Sequence, residues 1–88
     1  MATPFEVGLV SPEAAVWRGE ATMLVAKTVE GEIGILAGHE PFLGELAENG
    51  EVRITLVDNS VLKATVSGGF LSVSRTGVSV LAEEATLV

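Results

Sequence analysis

His39 is the only histidine among the 88 residues, and there is no cysteine. Zinc sites built on several His or Cys ligands are therefore excluded, as are thiolate chemistry and disulfides. A nucleophilic triad would need a Ser or Thr, His39 and an acid. Serines are plentiful, but the chain has no Gly-x-Ser-x-Gly elbow and only Glu40 adjoins His39, so no catalytic residue is assigned. Next to Glu40-Pro41, His39 reads as a hydrogen-bonded turn residue. Gly31, Gly34 and Gly38 do not follow the Gly-x-Gly-x-x-Gly order, and no Gly-Lys-Ser/Thr comes after them. Glu30 and Glu32 flank these glycines and would repel a phosphate. One Trp and no Tyr make a poor platform for sugar. No cofactor is expected.

Charge is more informative. Twelve acids face five bases, a net charge of −7. That argues against nucleic acid as a partner, because neutralising phosphates needs a Lys/Arg surplus. The same deficit argues against docking on anionic lipid. Six of the acids (Glu30, Glu32, Glu40, Glu45, Glu48 and Glu51) fall in one stretch with no Lys or Arg between them. Each alone reads as part of a solvated face. Together they describe an acidic, loop-rich end that favours a basic partner and speeds its encounter.

The elements that must position these residues follow from the hydrophobic pattern. With 48% apolar and 19% charged residues the chain is globular, and its length suits a single domain over residues 1–88. No apolar run approaches the roughly 18–20 residues of a membrane span, so no lipid insertion is expected. Met1-Ala2-Thr3-Pro4 lacks the basic and apolar regions of a signal peptide. Turn signals recur along the chain at Ser11-Pro12, Arg18-Gly19, Glu30-Gly31, Gly38, Asn49-Gly50, Asp58-Asn59, Gly68-Gly69 and Thr76-Gly77. Between them apolar and polar residues alternate, as in Phe5/Val7/Leu9, Val52/Ile54/Leu56, Leu62/Ala64/Val66 and Val78/Val80. Short alternating strands at this spacing indicate an antiparallel sandwich or barrel.

Two features stand outside that pattern. Met23-Leu24-Val25-Ala26, Ile33/Ile35 with Leu36, and Phe70/Leu71 with Val73 are apolar on both faces, whereas a two-layer sandwich buries only the inner one. Either loops cover the outer residues, or an apolar outer face awaits a partner protein. Phe42, Leu43, Leu46 and Ala47 recur at helical spacing behind Pro41, but the same stretch also reads as a strand ended by Asn49-Gly50. Periodicity leaves both open.

Gly31-Glu32-Ile33-Gly34-Ile35-Leu36-Ala37-Gly38-His39-Glu40-Pro41-Phe42-Leu43 resembles the central motif of the ATP synthase epsilon subunit family, a Gly-acid-x-Gly strand followed by Pro-Gly-His-x-Pro-Leu-Leu. Val16-Trp17-Arg18-Gly19-Glu20, Ser67-Gly68-Gly69-Phe70-Leu71-Ser72-Val73 and Val78-Ser79-Val80-Leu81-Ala82-Glu83 resemble further segments of that family in the same order. Ala37 stands where the family usually has proline, and Arg18 where a small residue is commoner. The two-helix C-terminal hairpin of the family, with its inhibitory movement and ATP site, has no counterpart in these 88 residues.

The resemblance implies an all-β, ten-stranded antiparallel β-sandwich, with the ambiguous stretch, Glu40 to Ala47, as strand. It implies a non-catalytic rotor subunit at the central stalk, peripheral to the energy-transducing membrane on its cytoplasmic (or matrix or stromal) face. Its partners would be the gamma subunit and the c-subunit ring. Glu30, Gly31, Glu32, His39 and Glu40 are the expected ring contacts; no gamma-contacting residue is identified. The residues by themselves also fit a stand-alone β-sandwich ligand-binding module.

Overall fold

The computed structural model describes residues 3–13 and 15–88; Ala14 lies outside it, as do Met1 and Ala2 of the stretch read above for a leader. Seven strands run in order: β1 (Phe5–Val10), β2 (Ala15–Thr28), β3 (Gly31–Ile35), β4 (Phe42–Glu45), β5 (Gly50–Leu56), β6 (Val61–Val73) and β7 (Gly77–Leu87). Among the described residues there is no helix. The stretch that pattern left ambiguous is β4, and Leu46 beyond it bridges to Thr28.

Length forces the architecture. A 14-residue strand such as β2 would reach about 46 Å when straight, but the longest dimension of the molecule is 32 Å. The long strands therefore bend from one layer into the other. One layer holds β3, the second half of β2, β5, the first half of β6 and the tail of β7. The other holds β4, the second half of β6, the first half of β7, β1 and the first half of β2. Counting β2, β6 and β7 once in each layer recovers the ten segments expected from the sequence. Six of the strand pairings are antiparallel; β1 and β7, near the two chain ends, pair in parallel. Pairings β1–β7–β6–β5–β2–β1 close into a ring, and β3 and β4 each hang on it by one partner.

Two of the sequence turn signals are not turns. Arg18-Gly19 lies inside β2 and Gly68-Gly69 inside β6. Gly19 is continuous strand beneath the Trp17 indole, which occupies the space a side chain would take. Gly68 and Gly69 have φ of 69° and 100° and kink β6 without changing its register on β7. In β2 the bend is made by an extra residue, Thr22, between the pairs Ala21–Leu56 and Met23–Thr55; its hydroxyl donates to the Thr55 carbonyl at 3.4 Å. The remaining signals do end strands. In the Leu56–Ser60 turn Asn59 has φ 70°, and the Ser60 hydroxyl and amide both donate to Asp58, holding its carboxyl below the usual value. Whatever that bond adds to the turn is present at neutral pH and is lost as pH falls through the depressed Asp58 value.

Between the layers lies one cluster of small and branched residues, including Val7, Leu9, Leu24, Ile35, Leu46, Val52, Ile54, Val66, Leu71 and Val80. A side chain at Gly69 would put its Cβ 1.8 Å from the Leu81 carbonyl oxygen, which no rotamer change relieves. Gly38 shares the left-handed φ, at 80°, but its Cβ would meet nothing within 4 Å. Gly69→Ala is expected to cost about 3 kcal/mol or more, and Gly38→Ala only about 1–2 kcal/mol. Chemical denaturation of the two variants checks this; equal losses would mean that φ alone, and not the close strand, sets the need for glycine at 69.

Candidate functional site

The residues expected at a ring contact fall at the two ends of β3. Glu30, Gly31 and Glu32 form its start. Thr28 is buried and organises that turn: its Oγ1 donates to the Gly31 carbonyl at 2.8 Å and accepts from the Glu30 amide at 3.2 Å. The Val29 amide donates to the Glu45 carbonyl and the Ala47 amide to the Lys27 carbonyl, each at 3.0 Å. These bonds bring Glu45 and the Ala47–Asn49 turn alongside Glu30. Three of the six clustered acids, Glu30, Glu45 and Glu48, thus share one end of the molecule.

The others do not join them. Glu32 reaches Arg53 from β3, across β2, at 3.7 Å, and Glu51 reaches it from two residues along β5 at 3.5 Å. The acidic stretch, unbroken in sequence, is relieved in space by a cation from β5. Both pairs are solvent-exposed, so each contributes at most about 1 kcal/mol. His39 and Glu40 lie beyond Ile35, the far end of β3, which is itself four residues and about 13 Å from Gly31. There Leu36 to His39 make a β-turn, with the His39 amide bonded to the Leu36 carbonyl at 3.1 Å and Gly38 at φ 80°. Positive φ at the third position makes it a type II turn. The His39 ring is half-buried, and its Nδ1 is 2.7 Å from the Glu40 main-chain oxygen. The imidazole is thus tied to its own loop, with no hydroxyl nucleophile among its bonded partners in the described residues.

Of the segments read as apolar on both faces, Ile33 packs on the core beside Ile35 and Val25 is half-buried, whereas Met23, Leu36 and Phe70 are exposed. Phe70 is 49% and Leu81 46% exposed, and they face each other across β6 and β7. Val10 on β1 pairs with Leu81 and extends the row to a third strand. Beside it lies an apolar cleft of about 260 Å³ formed by Val10, Pro12, Gly69, Leu81 and Ala82 with Ser11 and Glu83. On the other layer Met23 is 39% exposed, and Leu36 stands out at the end of β3. Loops do not cover these faces. Phe70 was legible as an outer apolar residue; Leu81 and Val10 join it only through pairing.

Residues 4–88 match the family described as ATP synthase, Delta/Epsilon chain, beta-sandwich domain. The chain belongs to this family. It is similar to the ATP synthase epsilon chain of Rhodococcus erythropolis, with 54% identity over 92% of this chain and 66% of that one. Similarity to the epsilon chain of Frankia casuarinae is 50% over 96% of this chain and 98% of its relative. The chain thus spans just under two thirds of the Rhodococcus protein and nearly all of the Frankia one. Its fold is also that of a chain in the Euglena gracilis mitochondrial ATP synthase, OSCP/F1/c-ring, with TM-score 0.89, 24% identity and coverage of 99% of this chain and 55% of that one.

In the family the second position of the Leu36–His39 turn is usually proline; here it is Ala37. No main-chain hydrogen bond of the turn uses the Ala37 amide, and a type II turn wants the φ that proline fixes. Ala37→Pro is expected to stabilise the chain by roughly 0.4–1 kcal/mol through the unfolded state. A fall in the denaturation midpoint would show that the turn departs from this geometry.

Proposed function

We propose that this chain is a non-catalytic rotor subunit of the F-type ATP synthase central stalk. It links the gamma subunit to the membrane ring of c subunits and couples proton or ion transport to ATP synthesis. The observation that carries this reading is the match of residues 4–88 to the delta/epsilon β-sandwich, with half the residues identical across 98% of the Frankia epsilon chain. The Euglena match, a chain of an OSCP/F1/c-ring assembly, supports the c-ring as a partner. On this reading the chain sits peripherally at the membrane, on the cytoplasmic face or its matrix or stromal equivalent.

The physical demand on such a part is stiffness. Torque crosses from ring to gamma without slip only if the part between them does not shear, and a close-packed core inside a closed ring of strands resists shear. The Glu30–Glu32 turn is the stronger half of the ring contact. It is pinned by Thr28 and Glu45, carries its acids into solvent, and suits ring loops that bear a basic residue. His39 and Glu40 make the second half, from the other end of β3. The ligand-module reading loses ground on volume: the hollows of about 250 and 260 Å³ fall below the roughly 300–1,000 Å³ of small-molecule sites.

Replacing Glu30 and Glu32 together by Lys tests the ring contact. Among the described residues the only ion pair lost is the exposed one to Arg53, so the fold should be retained. The double variant is expected to assemble poorly with the ring and to lower ATP-driven ion pumping several-fold in reconstituted vesicles, while the catalytic sector still hydrolyses ATP. Pumping equal to the parent protein would remove these residues from the contact.

A further inference from the structure

The outer face of the layer β4–β6–β7–β1–β2 carries a second hollow, next to the apolar cleft and sharing Val10 with it. It holds about 250 Å³ and is floored by Gly8, Ser72, Gly77 and Ser79. Pairing sets these residues side by side, Ser72 on Ser79 and Ser79 on Gly8, and Gly8 in turn on Arg18. The Arg18 guanidinium lies over Gly8, where an added Cβ would be 4.0 Å from Nε and Nη2. Arg18 is exposed and has no carboxylate within 4.0 Å among the described residues, in a chain whose acids outnumber bases twelve to five. Glu6 also lines this hollow and stands opposite Glu20 in the β1–β2 ladder.

We propose that this face seats an α-helix of the gamma partner, which puts an apolar side chain into the cleft and a carboxylate, one turn away, on Arg18. This assignment rests on the stalk reading above and gives the chemistry of its gamma contact. Val10 and Gly8, like Leu81 and Ser79, are two residues apart, so cleft and hollow are separated by about 7 Å. Residues i and i+4 of a helix are spaced by about 5–6 Å. A lone strand laid on this face would leave its own amides and carbonyls unpaired, because the strands beneath are already bonded on both sides. A helix satisfies its own backbone and packs on a sheet as a layer. Glu6 and Glu20 repel a free anion, so the carboxylate must arrive on a partner already held by the apolar contact. Arg18 then sets register and specificity, and the Leu81 cleft supplies most of the affinity.

The test is the affinity of the full chain for its cognate gamma subunit, at low and at high salt, with Leu81→Lys and Arg18→Gln. Both positions are exposed, and thermal melting confirms that each variant folds. Leu81→Lys is expected to weaken binding about a hundredfold at both salts, and Arg18→Gln roughly tenfold at low salt and only a few-fold at high salt, since screening acts on the charge pair. Arg18→Gln binding like the parent, with Leu81→Lys weakened, would overturn the carboxylate pairing. Both variants binding like the parent would overturn this face as the seat while leaving the stalk reading intact. Failure of the unmodified chain to bind gamma would instead bring down the stalk reading itself.

Discussion

Closure of the hydrogen-bond ring is the constraint on which the rest of this molecule depends. The 88-residue chain does not build its two five-stranded layers from ten separate short strands. It uses β2, β6 and β7 in both layers instead. Each long strand must then turn a corner without losing its partners. The extra residue Thr22 does this in β2, and Gly68-Gly69 does it in β6 while the β6–β7 register continues unchanged on both sides. At Gly69 the two backbones approach so closely that only hydrogen fits beside the Leu81 carbonyl. The bend is thus fixed by backbone contact rather than by side-chain packing, and the resulting shell is hard to shear.

A shell this small cannot hide all its apolar residues. The inner faces take Val, Ile, Leu and Ala, and the thin core is then full. Phe70, Leu81 and Val10 are left in a row on one outer face, and Met23 on the other. Exposed apolar rows of this kind are unusual on proteins that act alone. The acidic Glu30 turn lies elsewhere, on the loop side where β3 and β4 hang from the ring. On the stalk reading proposed above, the same body offers an apolar surface for durable attachment and a charged one for a second partner. These are the two contacts such a coupling element would need, with one packed core between them.

Local chemistry was readable from sequence where the cause was local. Asn49, Asn59 and Gly38 all adopt positive φ at strand ends, as their residue types suggest, and the alternation of Phe5/Val7/Leu9 and Val52/Ile54 gives the buried faces correctly. Gly19 and Gly69 misled because a glycine in a turn and a glycine pressed by a neighbour look alike in sequence; the Trp17 ring and the Leu81 carbonyl decide the matter. Periodicity left residues 42–47 ambiguous; the ladder of Phe42–Glu45 on β6 and the Leu46–Thr28 bridge, both non-local, make them extended as far as Leu46. The acids of the central motif were visible, but Arg53 reaches them from β5, and the length of β3 holds His39 away from Glu30. Arg18 drew notice only as an unusual turn residue. Its hollow exists because β1 and β7 pair in parallel, which no periodicity announces.

The claim that the Phe70–Leu81 face is the durable attachment can be tested most directly by hydroxyl-radical footprinting of the chain, free and bound to gamma. Met23, on the opposite outer face, is the internal control. Oxidation of Phe70 and Leu81 should fall several-fold in the complex while that of Met23 stays unchanged. Protection of Met23 with Phe70 and Leu81 still reactive would contradict the account.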